Sequence, residues 1–319
     1  MQEIPVVRKS LAVLLDDYYA NDKTSLLTFH FEPTSFSSSL DRLKSCSIKH
    51  ASIDNKDFYI LDQFFLEEEE EEIRELFEKA SYSRFSYGSL ESIDKGEKPG
   101  RSMNNQERWS LFSRYPPAIR EVYKLFSTLA DQMNADLMTL PWELCHGKAS
   151  APSIITNYHE EITEESMLNG KHQDCNPQGM ISFGIPLLYG QEGEFHDRQF
   201  INGDTGKPWM ISLMLYSTSK DFLPSEYQMG TVFYHDDGQE ALKAHCVNTR
   251  MVLFEGDISH STDVSKIPSE KKVWRTSYVF KLVMNPKKKE QNLKEDFRSL
   301  MQKGLQEIEK VATGLYARV

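Results

Sequence analysis

Cysteine is scarce in this sequence, and the few cysteines that occur are far apart. The chain holds four of them, Cys46, Cys145, Cys175 and Cys246, with no C-x-x-C pair. Closely spaced cysteines would indicate a zinc site, a redox centre or a disulfide framework, and this spacing favours none of the three. We therefore expect four free thiols in a protein of a reducing compartment.

Long apolar runs and an excess of positive charge are lacking as well. No window of the sequence approaches the roughly 20 apolar residues that a membrane-spanning helix needs. The apolar run at 11–15 is too short for the core of a signal peptide. Because the formal net charge is -11, the chain as a whole does not attract a phosphate backbone. We expect a cytoplasmic protein without a membrane or nucleic-acid partner.

The second half of the sequence contains a series of short apolar runs. A chain of 319 residues, of which 39% are hydrophobic, is long enough to bury a sizeable core. From about residue 150 the apolar runs are separated by turn residues, a spacing typical of an antiparallel sandwich or barrel. The predicted strands are 153–158, 179–188, 209–216, 230–235, 250–255 and 274–283.

Helices are predicted on both sides of these strands. The first follows a predicted strand at 57–65, whose residues alternate. This helix begins with an acidic run at Glu67, since a helix dipole favours negative charge at its start. The inward stripe of that helix is formed by Ile73, Leu76, Phe77 and Ala80. Further helices are predicted near 5–20, at 116–134 and over 287–319. We expect the last of them to pack on the core, with a homodimer contact as the alternative.

A histidine and an aspartate lie two residues apart in His172-Gln173-Asp174. On a strand, residues with this spacing project from the same face, so both side chains would point to one place. A third ligand is available in His260, which follows an apolar strand and the Glu-Gly-Asp turn at 255–257. Two imidazoles and one carboxylate leave three positions of an octahedron open, the arrangement found in iron(II) oxygenases.

A second polar group follows in Trp-Arg-Thr-Ser at 274–277. Arg275 and Ser277 share one face of a predicted strand. A guanidinium is suited to a bidentate grip on a carboxylate, and the neighbouring hydroxyl can donate one more hydrogen bond. Asn157 and Tyr158, on the strand that precedes the His-Gln-Asp motif, add candidate polar contacts.

Taken in order, these motifs resemble the 2-oxoglutarate and Fe(II)-dependent dioxygenase superfamily, and within it the prolyl-hydroxylase-like branch. The strand and helix of DFYILDQFFLEEEE…IRELF, from residue 57, are similar to the entry into that branch's domain. The motifs are N-Y at 157–158, H-x-D at 172–174, G-T-V-F at 230–233, L-F-E-G-D at 253–257 with the distal His260, and R-x-S at 275–277.

The resemblance implies a mixed α+β fold. A double-stranded β-helix, or jelly roll, would occupy about 150–286 and be flanked by N-terminal helices and a C-terminal helix. The implied segments are a helical or irregular extension at 1–56, a dioxygenase domain at 57–286 and the helix at 287–319.

The resemblance also assigns roles to the site residues. His172, Asp174 and His260 would bind Fe(II) and form the catalytic centre. Arg275 and Ser277 would bind the far carboxylate of 2-oxoglutarate. Asn157 and Tyr158 would be further cosubstrate contacts.

The activity implied is hydroxylation of a C–H bond with 2-oxoglutarate and O2, giving succinate and CO2 as coproducts, with ascorbate as a supporting reductant. The primary substrate would be a prolyl or other side chain of a protein or peptide, or a small molecule. Because Asp174 supplies a carboxylate ligand, hydroxylation is favoured over halogenation, which needs a vacant ligand position.

Two residue assignments have alternatives. Lys281 is the alternative to Arg275, because the link between His260 and Arg275 is longer than is usual in the family. His235-Asp236-Asp237 is a second H-x-D, but it is disfavoured because Asp-Gly at 237–238 is typical of a turn.

The function has alternatives as well. A nucleic-acid oxidative demethylase would need a basic groove lined by aromatic side chains, against which the acidic balance argues. A non-catalytic β-barrel module would hold a structural metal or none. The long segment at 176–206 is a candidate lid over the substrate.

Overall fold

The computed structural model of the protein describes residues 37–80, 84–85, 101–102, 117–139, 153–158, 170–174, 201–207, 209–264, 267–268, 271 and 273–302. The predicted helix near 5–20 and the predicted strand at 179–188 lie outside these residues. Within them, the helices are α1 (Ser37–Ser45), α2 (Glu67–Glu78), α3 (Pro117–Gln132), α4 (Pro224–Tyr227) and α5, described over 293–302. No helix in this part of the chain is long and apolar enough to cross a membrane.

The strands, in chain order, are β1 (Ser47–Ile53), β2 (Lys56–Asp62), β3 (Arg84–Phe85), β4 (Arg101–Ser102), β5 (Ala135–Thr139), β6 (Ser153–Tyr158), β7 (Trp209–Thr218), β8 (Thr231–Tyr234), β9 (Glu240–Ala244), β10 (Met251–Glu255), β11 (His260–Thr262) and β12 (Arg275–Pro286). The predicted strands at 153–158, 209–216, 230–235, 250–255 and 274–283 are thereby confirmed.

The described strands form two antiparallel sheets. The large sheet has the order β1-β2-β10-β7-β12-β6-β4-β3, and β5 pairs with β12. β12 is long enough to pair with β6 through its first half and with β5 through its second half, while β7 lies along its other edge. The small sheet has the order β11-β8-β9. Two such sheets with few helices confirm the mixed α+β class; the double-stranded β-helix itself stays a prediction.

Both faces of the central strands are buried, each against a different layer. In β7, Ile211, Leu213 and Leu215 join the core that lies under the helices, whereas Met214 and Tyr216 join the core shared with the small sheet. Successive side chains of a strand point to opposite faces. This double burial explains why β7 has apolar residues at successive positions, 209–211 and 213–216, instead of a strict alternation with polar residues.

Helix α2 begins at the acidic run, as predicted. Ile73 and Phe77 are fully buried, and Leu76 and Ala80 pack against the same core. Glu69 accepts a hydrogen bond from the Leu66 backbone N–H at 2.9 Å, which satisfies one of the donors that a helix start leaves open. The predicted inward stripe is confirmed.

Helix α5 packs on the large sheet through Leu293, Phe297 and Met301, all buried. Arg298 makes a two-pronged ion pair with buried Asp57 of β2, at 2.7 and 2.9 Å. This part of the C-terminal helix packs on the core, as expected; residues 303–319 and the predicted homodimer contact lie outside the described residues.

β1 falls within the predicted N-terminal extension, yet it pairs with β2 along its whole length. The turn between them places Asp54 and Asn55 at positive φ, 50° and 66°. Aspartate and asparagine tolerate this left-handed conformation, which suits a two-residue hairpin. The division of the chain at residue 56 stays a prediction.

Candidate metal centre

The small sheet brings two distant histidines together. His260, the first residue of β11, lies opposite Phe233 of β8. His172 forms an isolated antiparallel bridge with His260. Each of the two backbones donates to the other, with N–O distances of 3.0 and 2.9 Å. The relative position of the two imidazoles is therefore set by the main chain.

Asp174 completes the group. Its Oδ1 lies 3.6 Å from His172 Nε2 and 3.7 Å from His260 Nε2. One candidate ligand atom from each of the three side chains lies within 4.8 Å of the others. Among the described residues this is the only cluster of three or more metal-binding side chains. The structure thus brings together the three residues that the sequence predicted as ligands.

The backbone fixes which nitrogen of each ring faces the group. His172 Nδ1 lies 2.7 Å from the Gly170 carbonyl oxygen, and His260 Nδ1 lies 3.0 Å from the Ile258 carbonyl oxygen. A carbonyl oxygen only accepts, so each Nδ1 carries the proton and donates it. Each Nε2 is then the unprotonated nitrogen and lies on the side of Asp174, the arrangement typical of histidine ligands.

The electrostatics of the group favour a neutral His260. Burial, followed by the proximity of His172, lowers the pKa of His260 to about 3, so this imidazole is uncharged near pH 7. The rings of Phe233 and Phe254 lie 5.8 and 4.9 Å from its ring centroid and form an apolar wall. Asp174 is 2% exposed, whereas the His172 side chain is 32% exposed, so the site opens on the His172 side.

The distances from Asp174 to the two histidines suit ligands of one transition metal. Two ligand atoms that are each about 2.1 Å from one ion can lie at most about 4.2 Å apart. The separations of 3.6 and 3.7 Å between Asp174 Oδ1 and the two ring nitrogens fall within that limit. Two imidazoles and one carboxylate are the donor set of non-haem iron(II) oxygenases.

A second polar cluster surrounds Arg275 at the start of β12. The residue is 1% exposed. Its guanidinium donates to the Ser277 hydroxyl at 2.8 Å and to the Met229 carbonyl at 2.9 Å. Strand alternation brings Arg275 and Ser277 to one face, as the sequence predicted.

Tyr216 also belongs to this cluster, a contact that the sequence motifs did not predict. Its side chain is fully buried. Its ring lies 5.2 Å from the Arg275 guanidinium carbon, and its hydroxyl lies 2.6 Å from that of Thr231. Burial raises the pKa of Tyr216, which keeps the phenol protonated. Only the strand register, which pairs Tyr216 with Ser277, could have revealed the contact.

The two clusters lie at different levels along β8. The Arg275 guanidinium contacts the Met229 and Gly230 carbonyls just before this strand, and His260 lies opposite Phe233 near its end. Three residues of extended chain correspond to about 10 Å.

The structure gives the backbone position of the remaining predicted contacts. Tyr158 pairs with Arg275, and Asn157 with Thr276, in the β6–β12 register. Lys281 pairs with Ser212. The side chains of Asn157, Tyr158 and Lys281 lie outside the described part of the structure, so their roles stay predictions.

The second H-x-D does not join the metal cluster. His235 Nδ1 lies 3.0 Å from Asp54 Oδ1, and the Asp236 backbone N–H donates to Asp54 Oδ2 at 2.7 Å. Residues 236–238 form the turn between β8 and β9, as the Asp-Gly pair predicted. Cys46 and Cys246 are free and buried, as expected; Cys145 and Cys175 lie outside the described residues.

No protein-family model and no curated protein matches the chain. Among solved structures, a prolyl-4-hydroxylase from Pseudomonas putida is 11% identical over 80% of this chain and 100% of its own, with a TM-score of 0.33. HygX from Streptomyces hygroscopicus, solved with nickel and 2-oxoglutarate bound, is 10% identical over 73% of this chain and 84% of its own, with a TM-score of 0.37. At these TM-scores the overall likeness is limited.

A prolyl hydroxylase from Trichoplax adhaerens, solved with a peptide fragment of the hypoxia inducible factor, is also similar. It is 12% identical over 73% of this chain and 85% of its own, with a TM-score of 0.36. The function of this chain is inferred from its own side chains.

Proposed function

We propose that the protein is an Fe(II)- and 2-oxoglutarate-dependent dioxygenase that hydroxylates a C–H bond. The observation that carries the proposal is the convergence of His172 Nε2, Asp174 Oδ1 and His260 Nε2, with separations of 3.6 and 3.7 Å from the carboxylate oxygen to the two ring nitrogens. Both rings are held by backbone carbonyls in the tautomer that a metal requires.

Each residue of the centre has a defined task. Asp174 supplies one negative charge in a buried position, where it offsets part of the charge of a divalent cation. His260 stays neutral at physiological pH, so no proton has to leave before it binds. Phe233 and Phe254 keep bulk water from the His260 side. When bound, iron supplies the open positions at which 2-oxoglutarate and O2 react, giving succinate, CO2 and the hydroxylated product.

The cosubstrate site that we propose is the Arg275 cluster. Arg275 and Ser277 bind the far carboxylate of 2-oxoglutarate, because a buried guanidinium beside a hydroxyl offers several donors in a fixed geometry. The Tyr216 ring lies near the guanidinium and helps to orient it, and Thr231 holds the Tyr216 hydroxyl. Asn157 and Tyr158 are proposed as further contacts on the neighbouring strand.

The substrate that we propose is a prolyl or other side chain of a protein or peptide, or a small molecule. The support is the order of motifs from residue 57 to residue 277, which resembles the prolyl-hydroxylase-like branch.

The proposal is tested by turnover with Fe(II), ascorbate and 2-oxoglutarate against a panel of peptides and small molecules. Succinate is measured for the wild type, for His172→Ala, and for the control His245→Ala, which removes an exposed histidine. We expect succinate from the wild type and the control, and none from His172→Ala. Unchanged succinate in His172→Ala refutes the ligand assignment, and stoichiometric zinc without succinate identifies a non-catalytic module.

A further inference from the structure

In the turn between β10 and β11, two consecutive backbone carbonyls accept hydrogen bonds from side chains of the metal-centre segments. The Ile258 carbonyl accepts the hydrogen bond from His260 Nδ1 at 3.0 Å. The Asp257 carbonyl accepts a hydrogen bond from Gln173 Nε2 at 2.7 Å. Gln173 lies between His172 and Asp174, so this single turn holds both chain segments that carry the candidate ligands.

The side-chain amide of Gln173 is directed at the Asp257 carbonyl of the turn. This contact limits how far the segment at 172–174 can move relative to His260. Through it, Gln173 acts on the position of its two neighbours, His172 and Asp174.

The turn is fixed in its own place by Asn202. This amide is 3% exposed. Its Nδ2 donates to Asp257 Oδ1 at 2.9 Å and to the Met210 carbonyl at 2.8 Å. Its Oδ1 accepts from the Met210 backbone N–H at 2.7 Å. These bonds attach the turn to the start of β7, and Asn202 belongs to the segment at 176–206 that precedes this strand.

We propose that Gln173 and Asn202 are positioning residues of the metal centre, an inference that rests on the proposed function. Asn202 holds Asp257, Asp257 holds Gln173, and the next residue of the turn holds His260. Outer partners of metal ligands commonly change metal affinity 10- to 100-fold. Because Asn202 lies near the end of the segment at 176–206, the metal affinity of this centre also depends on that segment.

The experiment is a titration of the metal-free, full-length protein with cobalt(II), followed by calorimetry and visible absorption. Gln173→Ala removes the amide, and Gln173→Glu keeps its size but removes the donor that the Asp257 carbonyl needs. We expect both variants to raise the Kd for cobalt(II) about tenfold. Asn202→Ala should act in the same direction.

The matched control is Gln291→Ala. Gln291 also donates from a partly buried side-chain amide to a backbone carbonyl, that of Met133, on the helix side of the large sheet. Its loss should leave the Kd for cobalt(II) within twofold of the wild-type value. Thermal unfolding of each metal-free variant verifies that it is folded. Because Gln173 is only partly buried, its two variants keep the test valid if Asn202→Ala does not fold.

Failure of this inference is distinct from failure of the proposed function. If the wild type binds cobalt(II) and both Gln173 variants bind it within twofold, the positioning role is overturned while the metal centre stands. If the wild type binds no cobalt(II), the metal centre and the positioning role are both overturned.

Discussion

At the scale of single residues, the geometry of the site is set by the hydrogen bonds of its two imidazoles. Each of the two imidazoles donates its Nδ1–H to a main-chain carbonyl, so neither ring can rotate without losing a hydrogen bond. The Asp174 carboxylate lies between their Nε2 atoms in a position that is 2% exposed. Rigid ligands of this kind lower the entropy that is lost when a metal binds.

Arg275 gives a prediction at this scale. In Arg275→Lys the positive charge is kept, but the planar fork that grips a carboxylate is lost. A hydrogen bond to a charged group contributes about 1.5–3 kcal/mol, so we expect the KM for 2-oxoglutarate to rise about tenfold or more. The measurement is succinate formation at varied 2-oxoglutarate concentration.

The control for this prediction is Arg42→Lys, because Arg42 also grips a carboxylate through two nitrogens, that of Glu69 at 2.6 and 2.9 Å, in a pair that joins helices α1 and α2. Its KM should match that of the wild type. If Arg275→Lys leaves the KM unchanged while Lys281→Ala raises it, Lys281 and not Arg275 binds the cosubstrate carboxylate.

The three candidate ligands were predictable from sequence, but their supporting contacts were not. His172, Asp174 and His260 stand in a recognisable order and spacing. The contacts of Gln173 and Tyr216 depend on which backbone groups the fold brings near them. Strand register and turn position determine those neighbours, and neither is encoded in a local pattern.

At the scale of elements, local patterns predicted the helices α2, α3 and α5 and the strands β2, β6, β7, β8, β10 and β12, but not the short strands β3, β4 and β5. The stripe of α2 follows the helical period, and the apolar run of β7 is typical of a strand that is buried on both faces. β9 was not predicted, because its sequence Glu-Ala-Leu-Lys-Ala has the composition of a helix. It forms a strand because it continues the β8 hairpin, which overrides local propensity.

Helix α5 gives the prediction at this scale. Phe297 is fully buried, and its ring centroid lies 5.4 Å from that of Tyr59 and 4.9 Å from that of Trp209. Replacing such a residue by alanine leaves a cavity, so Phe297→Ala should lower the free energy of unfolding by about 3–5 kcal/mol. Urea denaturation measures the change.

Leu300→Ala on the same helix provides the comparison, since Leu300 is only partly buried. This substitution should lower the free energy of unfolding by about 1 kcal/mol. Equal effects of the two substitutions would show that α5 does not contribute its buried face to the core.

At the scale of the whole molecule, stability depends on a buried carboxyl that joins β10 to α5. Glu255 is 1% exposed, and Lys294 Nζ lies 2.6 Å from its Oε1. Burial raises the pKa of Glu255 to about 7, although Lys294 offsets part of this effect. The folded protein therefore keeps this proton to a higher pH than the unfolded chain does.

The pH dependence of stability follows from that difference. Between the ordinary pKa of a glutamate, about 4.5, and about 7, the folded state binds more protons, so the free energy of unfolding falls as the pH rises. The difference in pKa corresponds to a decrease in the free energy of unfolding on the order of 3 kcal/mol over this pH range. Glu255→Gln removes the titrating group, so its stability relative to the wild type should increase from pH 5 to pH 8.

Urea denaturation at pH 5, 6, 7 and 8 measures this effect. Glu290→Gln, at an exposed position, is the control and should follow the wild-type profile. Parallel profiles for Glu255→Gln and the wild type would show that this carboxyl has no raised pKa in the folded protein.

The reciprocal main-chain bridge between residues 172 and 260 has a consequence for the maturation of the proposed enzyme. Main-chain hydrogen bonds, which need no cation, hold the two histidine backbones side by side. In the proposed enzyme, loading with iron would then be a step that follows folding.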